Sequence, residues 1–189
     1  MTDENTQADQ SDPLPEELKE GNEEEPVEID EMKLNQLIER RKDEQSLGGG
    51  VVAGIVAAAL GAAIWAGITV ALERQIGFMA IGIGFLVGFA VRKFGKGMDS
   101  VFGVAGGALA VLGCLAGNLL TSCIFIAQAQ EMPVLVILSQ INPAIAVEIM
   151  RLTFSPIDVL FYAFAVYYGY KLSFHPLTGE ELATVVKQR

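Results

Sequence analysis

The chain of 189 residues combines a net charge of −10 with 51% hydrophobic residues and a mean hydropathy of +0.40. These values exclude a uniform globular domain, because the acidic residues are concentrated in residues 1–46 while residues 47–189 are apolar and nearly neutral. Cys114 and Cys123 are too far apart within one predicted helix to form a disulfide, and the only histidine, His175, has no ligand-type neighbours, so no metal site or cofactor is predicted and His175 is expected to be exposed.

The N-terminal region divides into two parts. Residues 1–28 are acidic, contain proline and have almost no large apolar side chains, so they cannot bury enough surface to offset the entropy lost on ordering. We therefore predict a disordered acidic tail. In residues 29–46, Ile29, Met32 and Leu37 share one helical face and Asp30 could act as the N-cap. This pattern is typical of a short amphipathic helix, although a solvated linker fits it equally well.

Four stretches are apolar enough to cross a bilayer, which needs about 20 residues. The predicted helices cover residues 48–72, 76–91, 101–127 and 157–172. The second is short, but the basic residues that follow it can extend to the lipid head groups. We therefore predict an all-α fold, an integral membrane four-helix bundle within residues 47–174, followed by a short cytoplasmic tail at residues 175–189. In that tail, Thr178 and Glu181 have the spacing of a capping box.

Residues 128–156 form an extra segment between the third and fourth predicted spans. Asn142 and Pro143 are typical of a helix N-cap and first turn. In the helix that follows, Glu148 and Arg151 lie opposite an apolar face and are expected to form a solvated pair. The segment is therefore either a helix on the membrane surface or a re-entrant loop, and the sequence leaves both open.

Lysine and arginine placement predicts the orientation of the chain. These residues gather on the side that carries both termini. They are Arg40, Arg41, Lys42, Arg92, Lys93, Lys96, Lys171, Lys187 and Arg189. The opposite side has only Arg74 and Arg151, so both termini are predicted to be cytoplasmic.

Glycine pairs four residues apart recur in the first three predicted spans. Helices in lipid associate through close backbone packing, which such pairs permit. The predicted packing residues are Gly50, Gly54, Gly84, Gly88, Gly103, Gly107, Gly113 and Gly117. The same pairs would also permit close contacts between copies of the chain. The sequence therefore does not distinguish a monomer from a homo-oligomer.

Three stretches, residues 76–92, 95–121 and 155–174, resemble a family of small bacterial polytopic membrane domains of unknown function. The resemblance covers roughly residues 48–175. It implies a bacterial inner membrane and a four-helix architecture, and it implies no activity.

One polar stripe interrupts the predicted spans. Its members, at helical spacing in the third span, are Cys114, Asn118, Thr121 and Ser122. The stripe could line a solute path, or it could form hydrogen bonds between helices, each worth about 0.6 kcal/mol. We favour the second interpretation.

The predicted function is that of a non-enzymatic membrane anchor or organiser. No pairing of nucleophile and base is visible, and Gly82, Gly84 and Gly88 lack the preceding strand and the spacing of a dinucleotide loop. No Asp, Glu, Lys, Arg or His lies in the middle of a predicted span, which argues against a proton-coupled carrier. The expected partners are the lipid bilayer and a basic cytoplasmic protein, and not a nucleic acid. The alternative is a small-solute channel or transporter.

Overall fold

The computed structural model describes residues 29–73 and 77–186, and the predicted disorder of residues 1–28 lies outside these ranges. The described residues are all-helical, with eight helices and no β-strand. The helices are α1 (Glu31–Asp43), α2 (Leu47–Leu72), α3 (Phe78–Gly95), α4 (Ser100–Ala129), α5 (Val134–Gln140), α6 (Pro143–Thr153), α7 (Pro156–Leu172) and α8 (Gly179–Val185).

Several of these helices could cross a membrane. By length and composition, α2, α3 and α4 qualify singly, and α5 with α6 would qualify only as one span bent by 113°. The fourth predicted span corresponds to α7, which has 17 residues and so lies at the short end of the usual range of about 17–25. Apolar helices of this kind indicate a membrane-spanning protein, while the number of crossings stays a prediction.

The four predicted spans pack side by side, and glycine contacts give their directions. Gly54 of α2 lies against Leu109 of α4, and Ala58 of α2 lies against Gly113 of α4. The order of these contacts shows that α2 and α4 run parallel. In contrast, α3 runs antiparallel to α2, because Gly50 near the start of α2 lies against Gly95 at the end of α3. The first three spans therefore alternate in direction.

The last span, α7, packs in the remaining groove between α3 and α4. Gly84 of α3 faces Ala165 of α7, and Gly106 of α4 faces Gly169 of α7. The central pair, α3 and α4, contact each other as well as both outer helices. Within the described ranges, the outer helices α2 and α7 do not contact each other. The bundle is thus a rhombus in cross-section, with α3 and α4 on its short diagonal.

The bundle core consists mainly of small side chains around one large one. Trp65 is only 1% exposed and is the largest fully buried side chain among the described residues. Small residues allow helix backbones to approach closely, which is the main source of contact energy in lipid. The core side chains are Ala57, Ala58, Trp65, Ala80, Ile83, Val87, Val91, Phe102, Ala110, Cys114 and Ala165.

At one end of the bundle, α1 and α8 form a small unit, which we term the α1–α8 unit. Asp30 caps α1 by accepting hydrogen bonds from the backbone N–H groups of Met32 and Lys33 at 3.1 and 3.2 Å, which confirms it as the N-cap. Its own N–H donates to the carbonyl of Val185 in α8 at 2.8 Å. The start and the end of the described chain are therefore joined.

The capping box predicted before α8 is also confirmed. Thr178 accepts from the N–H of Glu181, and the Glu181 carboxylate accepts from the N–H of Thr178 at 2.9 Å. Glu181 also forms an ion pair with Arg41 of α1. Nearby, the N–H of His175 donates to the carbonyl of Gly97 at 2.8 Å. His175 is half-buried, so the expectation that it is exposed was wrong, because the turn after α7 folds back onto the α3–α4 loop.

At the other end, α4 passes into α5 and α6. The predicted cap at Asn142 is confirmed, since its side chain accepts from the N–H of Ile145 at 2.9 Å and Pro143 opens the helix. Glu148 and Arg151 form the expected exposed pair at 3.9 Å. Both helices contact α4 and none of the other described helices. Whether they lie on the membrane surface or re-enter it stays a prediction.

Candidate functional site

All four residues of the predicted polar stripe are buried inside the bundle. Cys114 is 0% exposed and Asn118 is 2% exposed. The hydroxyls of Thr121 and Ser122 donate to carbonyls one turn earlier in α4, at 2.8 and 3.0 Å. These two bonds lie within one helix and not between helices, as is common for hydroxyl side chains in apolar helices. The stripe therefore does not form a row of interhelical hydrogen bonds.

The remaining two members of the stripe face other helices. The Cys114 thiol lies 3.8 Å from the carbonyl oxygen of Ala80 in α3, as a weak donor. The Thr153 hydroxyl of α6 lies 3.4 Å from the side-chain oxygen of Asn118. However, Thr153 also donates to the carbonyl of Ile149 at 2.9 Å. A hydroxyl has one proton, so the shorter bond is the real one and the contact with Asn118 is secondary.

Asn118 thus forms the centre of a buried polar cluster. Its side-chain nitrogen has no hydrogen-bond partner among the described residues. Tyr162 of α7 lies beside it, but its hydroxyl also lacks a bond of acceptable geometry. The Phe154 ring covers Tyr162 edge-on, with ring centroids 5.7 Å apart. We term Asn118, Thr153 and Tyr162 the Asn118 cluster.

Two more buried polar groups lie on α2 and were not anticipated from the sequence. The ring nitrogen of Trp65 and the hydroxyl of Thr69 have no partner within residues 29–73 and 77–186. Trp65 packs against Gly117, where an added methyl carbon would lie 3.1 Å from the ring. Trp65 and Thr69 are four residues apart and share one face of α2, and this spacing was the available signal in the sequence.

Asp158 of α7 is strongly buried, at 5% exposure, and is the one carboxylate buried to this degree within residues 29–73 and 77–186. Its oxygen accepts a hydrogen bond from the N–H of Ser155 at 2.8 Å. It therefore stabilises the start of α7 as part of a capping box. This role accounts for the burial of the Asp158 carboxylate.

The chemistry open to the Asn118 cluster is limited to hydrogen bonding. Unpartnered buried N–H and O–H groups each cost about 1–3 kcal/mol, and a small neutral molecule could offset that cost. The described part of the chain has no group of three metal-binding side chains. The cluster has no nucleophile activated by a base.

A second feature lies beside the cluster, on the outside of the bundle. It is an open groove of about 700 Å³ between α4 and α6, which we term the α4–α6 groove. Its walls are apolar except for one guanidinium. The lining residues are Leu115, Ala116, Leu119, Ala146, Val147, Met150, Arg151 and Phe154.

Most of the predicted packing glycines lie where a larger residue would collide with a neighbouring helix. A methyl carbon at Gly84 would lie 2.5 Å from the carbonyl oxygen of Ala165, and one at Gly88 would lie 2.8 Å from Leu172. The same holds, at 2.6 to 2.8 Å from atoms of neighbouring helices, for Gly54, Gly103 and Gly113, while Gly50 and Gly117 have tight contacts at 3.1 Å. Gly107 has more room, at 3.5 Å.

The tightest glycine in the bundle was not among those predicted. Gly106 lies directly against the hydroxyl of Ser173 and the carbonyl of Gly169. Gly106 is followed four residues later by Ala110, which is a small pair but not a glycine pair. A wider small-residue criterion would have found it.

The chain matches no protein-family model, no curated protein and no solved structure.

Proposed function

We propose that the chain is a multi-pass protein of a bacterial inner membrane that anchors or organises other proteins and has no enzymatic activity. In this proposal α2, α3, α4 and α7 cross the bilayer and both termini are cytoplasmic. The observation that carries it is the closeness of the helix backbones in the core, such as that of Gly84 to Ala165. Helices in such contact leave little room for a passage between them.

The α1–α8 unit supports the anchoring role. Arg41 pairs with Glu181, and the N–H of Asp30 donates to Val185, so residue 29 is held at a fixed place beside the bundle. The acidic residues 1–28 begin from that point. Their charge would repel an anionic leaflet and attract a basic protein, with an attraction that salt screens over about 8 Å.

Membrane topology provides the first test. Reporter fusions after residue 189 and within residues 92–100 should read cytoplasmic, and a fusion near Gln140 should read external. The charge bias between the two sides motivates this expectation. A cytoplasmic signal at Gln140 would contradict the four-crossing arrangement.

Partner capture provides the second test. Proteins crosslinked in intact cells should be compared between the full chain, a chain lacking residues 1–28, and a chain of full length in which the acids of that segment are replaced by their amides. We expect both altered chains to insert normally and to lose salt-sensitive captured proteins. Equal capture by all three chains would rule out the tail as the attachment point.

The second candidate function is a passive small-solute channel. The unpartnered nitrogen of Asn118 favours it, because buried polar groups often mark a path for polar solutes. Liposomes containing the purified protein would then pass water or small neutral solutes, and Asn118→Leu would block the flux. On the anchor proposal, we expect no flux above that of empty liposomes.

A further inference from the structure

We propose that the α4–α6 groove binds one zwitterionic phospholipid, with an acyl chain in the groove, the phosphate at Arg151 and the ammonium group at Glu148. This inference rests on the proposed membrane insertion. It goes further by assigning a ligand class to a surface of the bundle that packs against no other described helix.

The shape and lining of the groove suit a hydrocarbon chain. Its volume of about 700 Å³ lies within the range of about 300–1,000 Å³ that ligand pockets usually have. Leu115 and Leu119 line one wall, and Met150 and Phe154 line the other. An open apolar groove of this size would be unfavourable in water. Within a bilayer, an acyl chain can fill it.

The direction of α4 sets the depth of the groove. Leu115 precedes Leu119 along α4, and α4 runs toward the end that carries α5 and α6. Leu115 therefore lies deeper in the bundle than Leu119, and the C-terminal end of α6 is level with Asn118, where Thr153 meets its side chain. The Arg151 side chain is long and 76% exposed, so its guanidinium can extend from this depth toward the head groups.

Arg151 provides the binding group for the phosphate of the lipid. It is the only charged residue among those that line the groove. Its side chain is 76% exposed, and its guanidinium lies 3.9 Å from the Glu148 carboxylate. An exposed ion pair at this distance usually contributes only about 0–1 kcal/mol to stability. The two side chains can therefore separate readily to bind a ligand. The guanidinium has five N–H donors and binds phosphate well.

The charge of this pair determines which phospholipid fits. Arg151 and Glu148 together are neutral, and their charges are adjacent, as the phosphate and ammonium of a zwitterionic head group are. An anionic head group would bring a net negative charge beside Glu148 without an ammonium to balance it. We therefore expect phosphatidylethanolamine to bind more tightly than phosphatidylglycerol, and both more tightly than diacylglycerol.

The test uses protein from membranes that have been washed with alkaline carbonate. After gentle extraction, native mass spectrometry would measure retention of three added probes with identical chains: dioleoylphosphatidylethanolamine, dioleoylphosphatidylglycerol and dioleoylglycerol. We expect one phosphatidylethanolamine per chain. Diacylglycerol should be retained about tenfold less, as loss of charge-assisted bonds at Arg151 would produce.

Variants separate the contributions of the head group and the chain. Arg151→Gln should lower retention of phosphatidylethanolamine about tenfold, to the diacylglycerol level. Glu148→Gln should remove the preference over phosphatidylglycerol. Ala116→Phe should fill the groove and abolish retention of all three probes. Ala108→Phe is the matched control, because Ala108 is exposed on the same helix and does not line the groove.

Each failure has a distinct meaning. If carbonate released the wild-type protein, the proposed membrane insertion would be overturned. If the protein stayed inserted but Ala116→Phe retained lipid like Ala108→Phe, the lipid site would be wrong while the membrane proposal stood. The same conclusion would follow if Ala116→Phe dissociated an oligomer, since a second copy of the chain would then occupy the groove.

Discussion

Arg41 on α1 and Glu181 on α8 form an ion pair although they are 140 positions apart in the sequence. This pair joins the helix that precedes the first span to the helix that follows the last. Both partners are part-buried, with side-chain exposures of 17% and 25%. The backbone hydrogen bond from Asp30 to Val185 joins the same two regions of the chain.

The α1–α8 unit should open in acid. Hydrogen bonds from the backbone and hydroxyl of Thr178, together with Arg41, lower the pKa of Glu181 below its usual value of 4.5. A carboxylate with a lowered folded-state pKa contributes stability above its unfolded pKa, and that stability is lost as the pH falls through the folded value. Spin labels at Asn35 and Ala183 should therefore separate as the pH falls below about 4.5.

A matched pair of variants isolates this effect. Glu181→Gln should separate the two labels already at pH 7, because the neutral amide loses the ion pair with Arg41, while its oxygen can still accept from the N–H of Thr178 in the capping box. Glu180→Gln removes a neighbouring charge that the structure places in neither contact, and it should leave the label distance unchanged. Identical behaviour of the two variants would show that Glu181 does not hold the unit together.

The glycine contact between α3 and α7 predicts a strong effect of one methyl group. Gly84→Ala would place a carbon 2.5 Å from the carbonyl oxygen of Ala165, a backbone atom that cannot rotate away. We expect a loss of about 1–3 kcal/mol in the free energy of unfolding. The control is Gly82→Ala, because nothing lies within 4 Å of a methyl group there. It should be neutral or gain up to about 1 kcal/mol from helix propensity.

Reversible unfolding in mixed micelles would measure the free energy of unfolding of Gly84→Ala and Gly82→Ala. Leucine at Gly88, Gly113 or Gly117 should also lower stability, since each of these positions faces a neighbouring helix. Equal stability of Gly84→Ala and Gly82→Ala would mean that α3 and α7 do not pack as described.

The end of α4 should be improved by a single glycine. Glu131 has a φ of 53°, and the N–H of Met132 donates to the carbonyl of Ala127 at 2.9 Å. This is a Schellman motif with a non-glycine residue at its left-handed position, where a side chain costs about 1–2 kcal/mol. Glu131→Gly should raise the free energy of unfolding by about 1 kcal/mol. Glu131→Ala removes the same charge but does not relieve the strain of the left-handed backbone, so it should not raise the free energy of unfolding.

Replacing Asn118 discriminates between a packed interior and a bound solute. Its side-chain nitrogen is buried without a partner, and Thr153 keeps its bond to Ile149 without it. Asn118→Leu should therefore be neutral or stabilising by up to about 2 kcal/mol. Asn118→Asp should be strongly destabilising, because it buries a charge. A marked loss of stability in Asn118→Leu would instead indicate that the amide binds a molecule inside the bundle.

The parts of this structure that could be predicted from the sequence are those with local causes. Asp30, Asn142 and Thr178 each cap a helix through hydrogen bonds that reach only two or three residues along the chain. Their identification required no knowledge of the fold. The apolar runs that became α2 and α4 were visible for the same reason, because length and composition alone define them.

The parts that could not be predicted depend on how helices are rotated against one another. A helix that is apolar on all sides has no polar face to reveal its orientation. The meeting of Tyr162 with Asn118, and the burial of Trp65 and Thr69, therefore required the structure. The hydroxyls of Thr121 and Ser122 could have donated either to a neighbouring helix or to a carbonyl of their own helix. Both donate to carbonyls within α4.

The rhombic arrangement of the bundle has a consequence for how the protein is made. Because α2 and α7 share no contact, α2, α3 and α4 can assemble completely while the ribosome is still synthesising the C-terminal part of the chain. The late arrival of α7 then requires no earlier contact to be broken, since its place is the open groove beside Gly84 and Gly106. A chain interrupted between α6 and α7 should accordingly reassemble from its two pieces when both are produced in the same cell.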